Sequence, residues 1–415
     1  MGKYGCIGKK LTHSFSKEIH NELADYDYEL IELSEEEIQP FFESRDFNAV
    51  NVTIPYKQTV IPFLDSVSDV AKRIGAVNTV VNKNGVLFGY NTDYYGMKAL
   101  IERLGIDLRG KKVLVLGTGG TSKTACAVAA DMGACEVLVV SRSKNGDYVT
   151  YDEAVTLHND ASVIINTTPV GMYPECEAKP IDIESFDSLC GVVDAIYNPL
   201  CTNLVLDAKA KGIKAAGGLY MLVMQAVVAV ERFLDTAIAK EVADKVYEDI
   251  LNAKENIVLT GMPGSGKSTV GRLIGINGYT FIDTDEEIEK RCRCTIGELI
   301  ANKGEKYFRD IETEVIRDIS ALNGCVISTG GGAVLREENI RNLKRNGKIY
   351  FIDAEPSRLI ATCDRPLSDT KEKLEKLYAE RIGIYRSSAD VTVPDMEAAQ
   401  AEAEYILAKR RELTV

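Results

Sequence analysis

Tryptophan is absent, histidine occurs three times, and no apolar run approaches the ~20 residues of a membrane-spanning helix. The longest such run, Leu219 to Val230, contains Gln225 and predicts a buried helix. His13, His20 and His158 cannot by themselves build a His-rich metal centre. The ten cysteines have no regular spacing. Cys292-x-Cys294 is the only close pair, with no second pair to complete a zinc site, so reduced intracellular thiols are expected. Positive charge is scarce: 49 Lys and Arg face 62 Asp and Glu, a net charge of −13. That argues against nucleic acid or an anionic membrane surface as partner, so an anionic ligand must be held by local cations. The start, Met1 to Gly8, lacks the apolar core of a signal peptide, and a cytoplasmic location is expected. There is no long repeat and no low-complexity tract, and nothing in the sequence sets an oligomeric state.

A chain of 415 residues is too long for one ordinary core and predicts two or three domains. Gly261-Met262-Pro263-Gly264-Ser265-Gly266-Lys267-Ser268-Thr269 follows the apolar run Ile257-Val258-Leu259 and leads into a helical pattern. It fits the phosphate-binding loop G-x-x-x-x-G-K-[ST] in its strand–loop–helix setting. Gly264, Ser265, Gly266 and Thr269 belong to a loop whose backbone N–H groups cradle phosphates. Lys267 is placed to reach the β/γ oxygens of ATP, and Ser268 to ligate Mg²⁺. Such a loop closes the first strand of its fold, so a domain is expected over 256–415. Apolar runs near 257–259, 280–282, 325–328, 349–352 and 391–393 predict five strands there.

The first 252 residues carry a second glycine-rich loop, Gly117-Thr118-Gly119-Gly120, after the strand pattern Lys112–Leu116. Ser122 stands where the dinucleotide fingerprint has its third glycine, and a small residue still allows close helix–strand packing there. The next strand pattern ends in Ser141-Arg142-Ser143-Lys144 rather than an acid, and a cation in that place suits the 2′-phosphate of NADP. Alternation from about 110 to 218 predicts a parallel, doubly wound unit, and a long helical pattern is expected from Leu219 to about Ala253.

Seven ordered motifs then resemble shikimate dehydrogenase. They are His13-Ser14-Phe15-Ser16, Asn51 to Lys57, Gly75 to Thr79, Gly89 to Asp93, Asn166 to Met172, Asp194-x-x-Tyr197-Asn198-Pro199, and Gly218 to Gln225. Lys17 departs from the family, which usually has Pro there. The resemblance implies a substrate subdomain of about 1–100 and 219–252, a Rossmann-like NADP subdomain of about 101–218, and NADPH as cofactor. It implies Lys57 and Asp93 as the catalytic pair. A Lys beside a ketone stabilises the developing alkoxide and donates its proton. By the same resemblance Ser14, Ser16, Thr53, Asn78, Asn91, Tyr197 and Gln225 bind a polyhydroxylated carboxylate. Gly117, Gly119, Gly120, Thr121, Arg142, Gly218 and Met221 line the cofactor.

The last 160 residues resemble shikimate kinase in Asp283-Thr284-Asp285, Phe308 to Glu312, Thr329 to Gly332, Arg365-Pro366-Leu367 and Arg381-x-x-x-Tyr385. The resemblance implies a P-loop, nucleotide-kinase-like α/β domain with a five-stranded parallel sheet. Asp283 is placed near the metal and Asp285 on the substrate hydroxyls. Arg309, Arg381, Gly331 and Gly332 hold the substrate, and Arg365 is an arginine closing on the phosphates. The segment from Arg365 to Arg381 is a few residues shorter than usual in the family. The whole reads as an enzyme of two activities acting on 3-dehydroshikimate and shikimate. The alternative is a quinate/shikimate dehydrogenase fused to a nucleotide-binding regulatory module.

Overall fold

The computed structural model describes residues 3–11, 15–359, 371–396 and 398–412. It divides into two compact units, Met1–Ile250 and Leu251–Val415, with the division inside the helix Lys240–Lys254.

The first unit holds two sheets. The first comprises β1 (Tyr4–Gly8), β2 (Tyr28–Glu32), β3 (Ala49–Val52), β4 (Ser66–Val67), β5 (Thr79–Lys83) and β6 (Val86–Tyr90), in the order β2-β1-β3-β5-β6-β4. β1 pairs in parallel with β2 and β3, whereas β3–β5 and β5–β6 are antiparallel. The reversal between β5 and β6 is made by Asn84-Gly85, both left-handed at φ 54° and 86°, as a two-residue hairpin that follows strand twist requires.

The second sheet is wholly parallel. Its strands are β7 (Lys112–Leu116), β8 (Glu136–Ser141), β9 (Val149–Thr150), β10 (Val163–Asn166), β11 (Gly191–Asp194) and β12 (Lys214–Ala216), in the order β12-β11-β10-β7-β8-β9. This is the expected doubly wound sheet. The chain leaves β7 in one direction to β8 and returns on the other side through β10. That switch opens a crevice at the carboxyl ends of β7 and β10, where ligands bind in such folds.

Two helices join the sheets. Asp93–Arg103 crosses Leu219–Leu234 at Gly96, where a Cβ would strike the Met221 carbonyl oxygen. The single helical pattern expected from Leu219 to about Ala253 is in fact two helices, Leu219–Leu234 and Lys240–Lys254. Asp235 adopts φ 51° and caps the first, and the Glu231 carboxylate accepts the Ile238 N–H at 3.0 Å. Local polar bonding thus breaks a pattern that periodicity carries straight through.

The second unit is built on β13 (Asn256–Gly261), β14 (Thr280–Asp283), β15 (Cys325–Ser328), β16 (Gly347–Asp353) and β17 (Val391–Pro394), in the order β14-β15-β13-β16-β17, all parallel. β13 is buried along its whole length, as a central strand covered on both faces must be. It ends at the phosphate-binding loop.

Candidate active sites

In the first unit Lys57 follows β3 and Asp93 opens the helix Asp93–Arg103. Their side chains meet at 2.5 Å, only 16% and 10% exposed. The turn is pinned from below, because the Lys57 carbonyl accepts the Val77 N–H at 2.8 Å. From across the cleft comes Gly120: a Cβ there would lie 3.9 Å from the Lys57 side chain and meet nothing closer. Gly119 is equally open and caps the helix Gly120–Asp131. Bare backbone at a helix N-terminus is what a pyrophosphate needs, so the residues fit a dinucleotide. Thr121 continues this turn. Gly117, at φ 104°, is pressed by Thr167 and Thr168 after β10, each within 3.0 Å of a Cβ built there. Arg142 is exposed at the end of β8, while Lys144 is held by Glu153 at 2.6 Å. The Lys144 ammonium, with the Thr150 N–H, holds the Glu153 carboxyl down to about 2.

The polar residues beside Lys57 are tied to one another. Asn78 donates to Thr92 Oγ1 at 3.0 Å and accepts the Thr92 N–H at 2.6 Å. Thr92 in turn donates to Gln225 Oε1 at 3.4 Å. Asn91 donates to the Ala76 carbonyl at 3.0 Å and accepts the Tyr94 N–H at 3.1 Å. Thr53 is half-buried against Gly8, and Ser16 opens the helix Ser16–Leu23. The Tyr197 ring lies 5.2 Å from that of Phe15, and burial raises its phenol pKa. Gly218 caps the helix that carries Met221 and Gln225. Ser14 lies outside the described residues.

Behind these residues lies a layer of buried polar groups whose partners the sequence does not show. Tyr28 donates to Asn51 at 2.7 Å, and Asn51 donates to Thr79 at 3.1 Å. His20 stacks on Tyr28 with ring centres 3.9 Å apart and bonds Tyr26 at 2.7 Å, and burial pushes its imidazole down to about 3. Asp194 is fully buried and pushed up to about 6 by that burial.

In the second unit the phosphate-binding loop bends through Gly264 at φ 80° and Gly266 at φ 86°. Ser265 is buried within it and Thr269 is exposed on the following helix. Lys267 donates to the Gly261 and Met262 carbonyls at 3.0 and 2.9 Å, at the mouth of the loop. Ser268 donates to Asp283 at 2.6 Å, and Asp283 stands level with Ser328 across β14 and β15. A hydroxyl and a carboxylate oxygen are hard donors suited to Mg²⁺, which keeps its other positions for water and phosphate. Among the described residues no cluster of three or more His, Cys, Asp or Glu forms a metal cage.

Beside this lies a cluster of two arginines and two acids around a glycine run. A Cβ at Gly330 would come within 2.6 Å of Asp285, one at Gly331 within 2.8 Å of Pro263, and one at Gly332 would strike the Arg309 guanidinium. The glycine run is therefore the space in which Asp285 and Arg309 sit. Arg309 pairs with Glu312 at 2.9 Å, and Glu312 is fully buried, which raises its carboxyl pKa. Arg381 donates to the Gly331 carbonyl at 3.1 Å, and Tyr385 donates to the same oxygen. Asp285, Arg309, Arg381, Gly331 and Gly332 thus converge. Arg365 lies outside the described residues. Glu312 and Tyr385 are missing from the sequence-based set, although both stand inside motifs that sequence analysis isolates.

Two family matches agree with this geometry: "Shikimate dehydrogenase substrate binding domain" over residues 6–80 and "Shikimate kinase" over 263–411. Shikimate dehydrogenase (NADP(+)) from Clostridium beijerinckii is 37% identical over 261 residues, spanning 59% of this chain and 96% of that protein. The chain belongs to the shikimate dehydrogenase family and carries a shikimate kinase domain behind it. Among solved structures, shikimate dehydrogenase 1 from Peptoclostridium difficile is 35% identical with a TM-score of 0.56, covering 60% of this chain and 98% of that one. Shikimate 5-dehydrogenase from Thermus thermophilus, in complex with NADP(H) and shikimate, is 31% identical with a TM-score of 0.54, covering 60% and 99%. The protein is therefore an enzyme of the shikimate pathway with a dehydrogenase half and a kinase half. Among the described residues no helix is long and apolar enough to cross a membrane.

Proposed function

We propose that the dehydrogenase half, residues 1–252, reduces 3-dehydroshikimate to shikimate, and that the kinase half, 256–415, phosphorylates the shikimate 3-hydroxyl. The observation that carries the first step is the Lys57–Asp93 pair facing Gly120. NADPH supplies the hydride when bound. Lys57 Nζ gives its proton to the carbonyl oxygen as that oxygen becomes an alcohol, and Asp93 holds the ammonium in line. Ser16, Thr53, Asn78, Asn91, Tyr197 and Gln225 are assigned to the ring hydroxyls and carboxylate, and Ser14 shares that role by its motif. Asn78, Asn91 and Gln225 are already bonded within the site, so they present fixed faces rather than loose side chains. Gly117, Gly119, Gly120, Thr121, Gly218 and Met221 border the cofactor, and Arg142 selects its 2′-phosphate.

In the kinase half Asp285 takes the proton of the attacking hydroxyl. A bond forms from that oxygen to the γ-phosphorus as the bond to ADP breaks. Lys267 with Gly264, Ser265, Gly266 and Thr269 would hold the phosphates, Ser268 and Asp283 would hold Mg²⁺, and Arg365 is assigned the stabilisation of charge on the transferring group. Mg²⁺ supplies charge neutralisation when bound. Arg309 and Arg381 hold the substrate carboxylate against Gly331 and Gly332. Both steps are placed in the cytoplasm. Two assays test this reading: NADPH oxidation driven by 3-dehydroshikimate, and ADP release driven by shikimate. Each is expected to be substrate-dependent, and ADP release indifferent to shikimate would overturn the kinase assignment.

A further inference from the structure

We propose that Asp194 is a positioning residue for hydride transfer, its carboxylate tying the loop that carries Tyr197 to the loop that borders the nucleotide turn. The proposal rests on the dehydrogenase reaction put forward above. Asp194 ends β11 and Asn166 ends β10, side by side in register. Asp194 Oδ1 accepts the Asn166 side-chain N–H and the Ile196 backbone N–H, each at 3.0 Å, and Oδ2 accepts the Thr202 hydroxyl at 2.7 Å. Asn166 Oδ1 then accepts the N–H and the hydroxyl of Thr168, at 3.0 and 2.7 Å. Thr167 and Thr168 are the residues pressed on Gly117. Tyr197 follows Ile196 directly and reaches Phe15 of the substrate subdomain.

One carboxylate therefore sets two adjacent loops on the β10 side of the switch point of the sheet. The Tyr197 loop has no slack behind it: a Cβ at Gly217 or Gly218 would strike the Leu200 or Ala195 carbonyl oxygen. Three donors converge on the two carboxylate oxygens. An asparagine can take both N–H groups on its oxygen but turns an N–H toward Thr202, so the Thr202 hydroxyl proton loses its acceptor and the two loops lose one of the three bonds that tie them. Burying a carboxylate is costly unless its bonds are complete, and here they are complete only in the arrangement that fixes both loops. Hydride transfer depends steeply on how donor and acceptor are held, so a small loop displacement lowers turnover more than it weakens binding.

The test uses the full chain with Asp194→Asn, Thr202→Val and Thr202→Ser. The readouts are the NADPH dissociation constant, kcat and KM for 3-dehydroshikimate, and the isotope effect on kcat with NADPH deuterated at the transferred position. Kinase activity and melting temperature of the same preparations report folding. Asp194→Asn is expected to lower kcat about tenfold or more, keep the NADPH dissociation constant within about twofold, and raise the isotope effect. Thr202→Val should fall between wild type and Asp194→Asn, and Thr202→Ser should recover wild-type turnover. Unchanged kcat and isotope effect in Asp194→Asn would overturn the proposal. So would a loss wholly in NADPH affinity, or a Thr202→Ser as impaired as Thr202→Val. A wild-type chain unable to reduce 3-dehydroshikimate would instead overturn the proposed reaction.

Discussion

His20 and Asp194 are both buried in the dehydrogenase half, and burial moves them in opposite directions, one down to about 3 and the other up to about 6. Below its ordinary pKa the unfolded chain protonates His20 while the folded chain does not, so His20 costs stability as the pH falls. For Asp194 the folded chain keeps a proton that the unfolded chain releases, so acidification through the same range adds stability. The two slopes oppose each other over roughly pH 4–6. His20→Phe removes the first slope alone. Its melting temperature relative to wild type is expected to rise steadily as the pH is lowered from about 6 to about 4, and a constant offset across that range would contradict the assignment. Arg142 carries a different prediction. It stands exposed at the end of β8 while Lys144 is committed to Glu153. Arg142→Ala should weaken NADPH about tenfold, the scale of one charged phosphate contact, and leave NADH use unchanged. Equal loss for both cofactors would make Arg142 a support of the fold.

At the scale of elements, the glycine run after β15 is the most exposed to test. A Cβ at Gly332 strikes both terminal nitrogens of Arg309, which must then leave its place beside Glu312. Gly332→Ala is expected to raise the shikimate KM of the kinase about tenfold without changing reduction of 3-dehydroshikimate. ADP release titrated with shikimate measures this, and an unchanged KM would remove Arg309 from the substrate site. Both glycine loops and all five strands of the kinase sheet are legible in the sequence, because phosphate cradles and buried parallel strands demand distinctive residues. Asn84-Gly85 between two apolar runs signals the pairing of β5 with β6 equally well. What sequence alone conceals is partnership. Asn51, Thr92, Asp194 and Glu312 stand inside recognisable motifs, but only the fold shows that they are buried and what they bond, and the stop at Asp235 depends on one backbone angle and a carboxylate four residues earlier.

At the scale of the whole molecule the boundary carries its own prediction. Arg410, on the helix Ala399–Glu412, is 2% exposed and donates to the Asn252 and Glu255 carbonyls at 2.5 and 2.6 Å. A kinase fragment starting at residue 256 loses both acceptors around a buried cation, whereas one starting at 240 keeps them. The shorter fragment is expected to be less stable by about 1–3 kcal/mol, read from denaturant melts of 240–415 and 256–415. Equal stability would show that these carbonyls do not support the kinase core.

On the reading proposed above, two successive reactions run on one chain from separate sites. Incubating the protein with 3-dehydroshikimate, NADPH, ATP and Mg²⁺, and identifying products by mass spectrometry, tests it most directly. Wild type is expected to yield shikimate 3-phosphate. Lys267→Ala should stop at shikimate, and Lys57→Ala should leave 3-dehydroshikimate largely unconverted, its turnover lowered by roughly 10²–10⁴. Wild type that accumulates shikimate without phosphorylating it, or Lys267→Ala that also loses the reduction, would contradict the account.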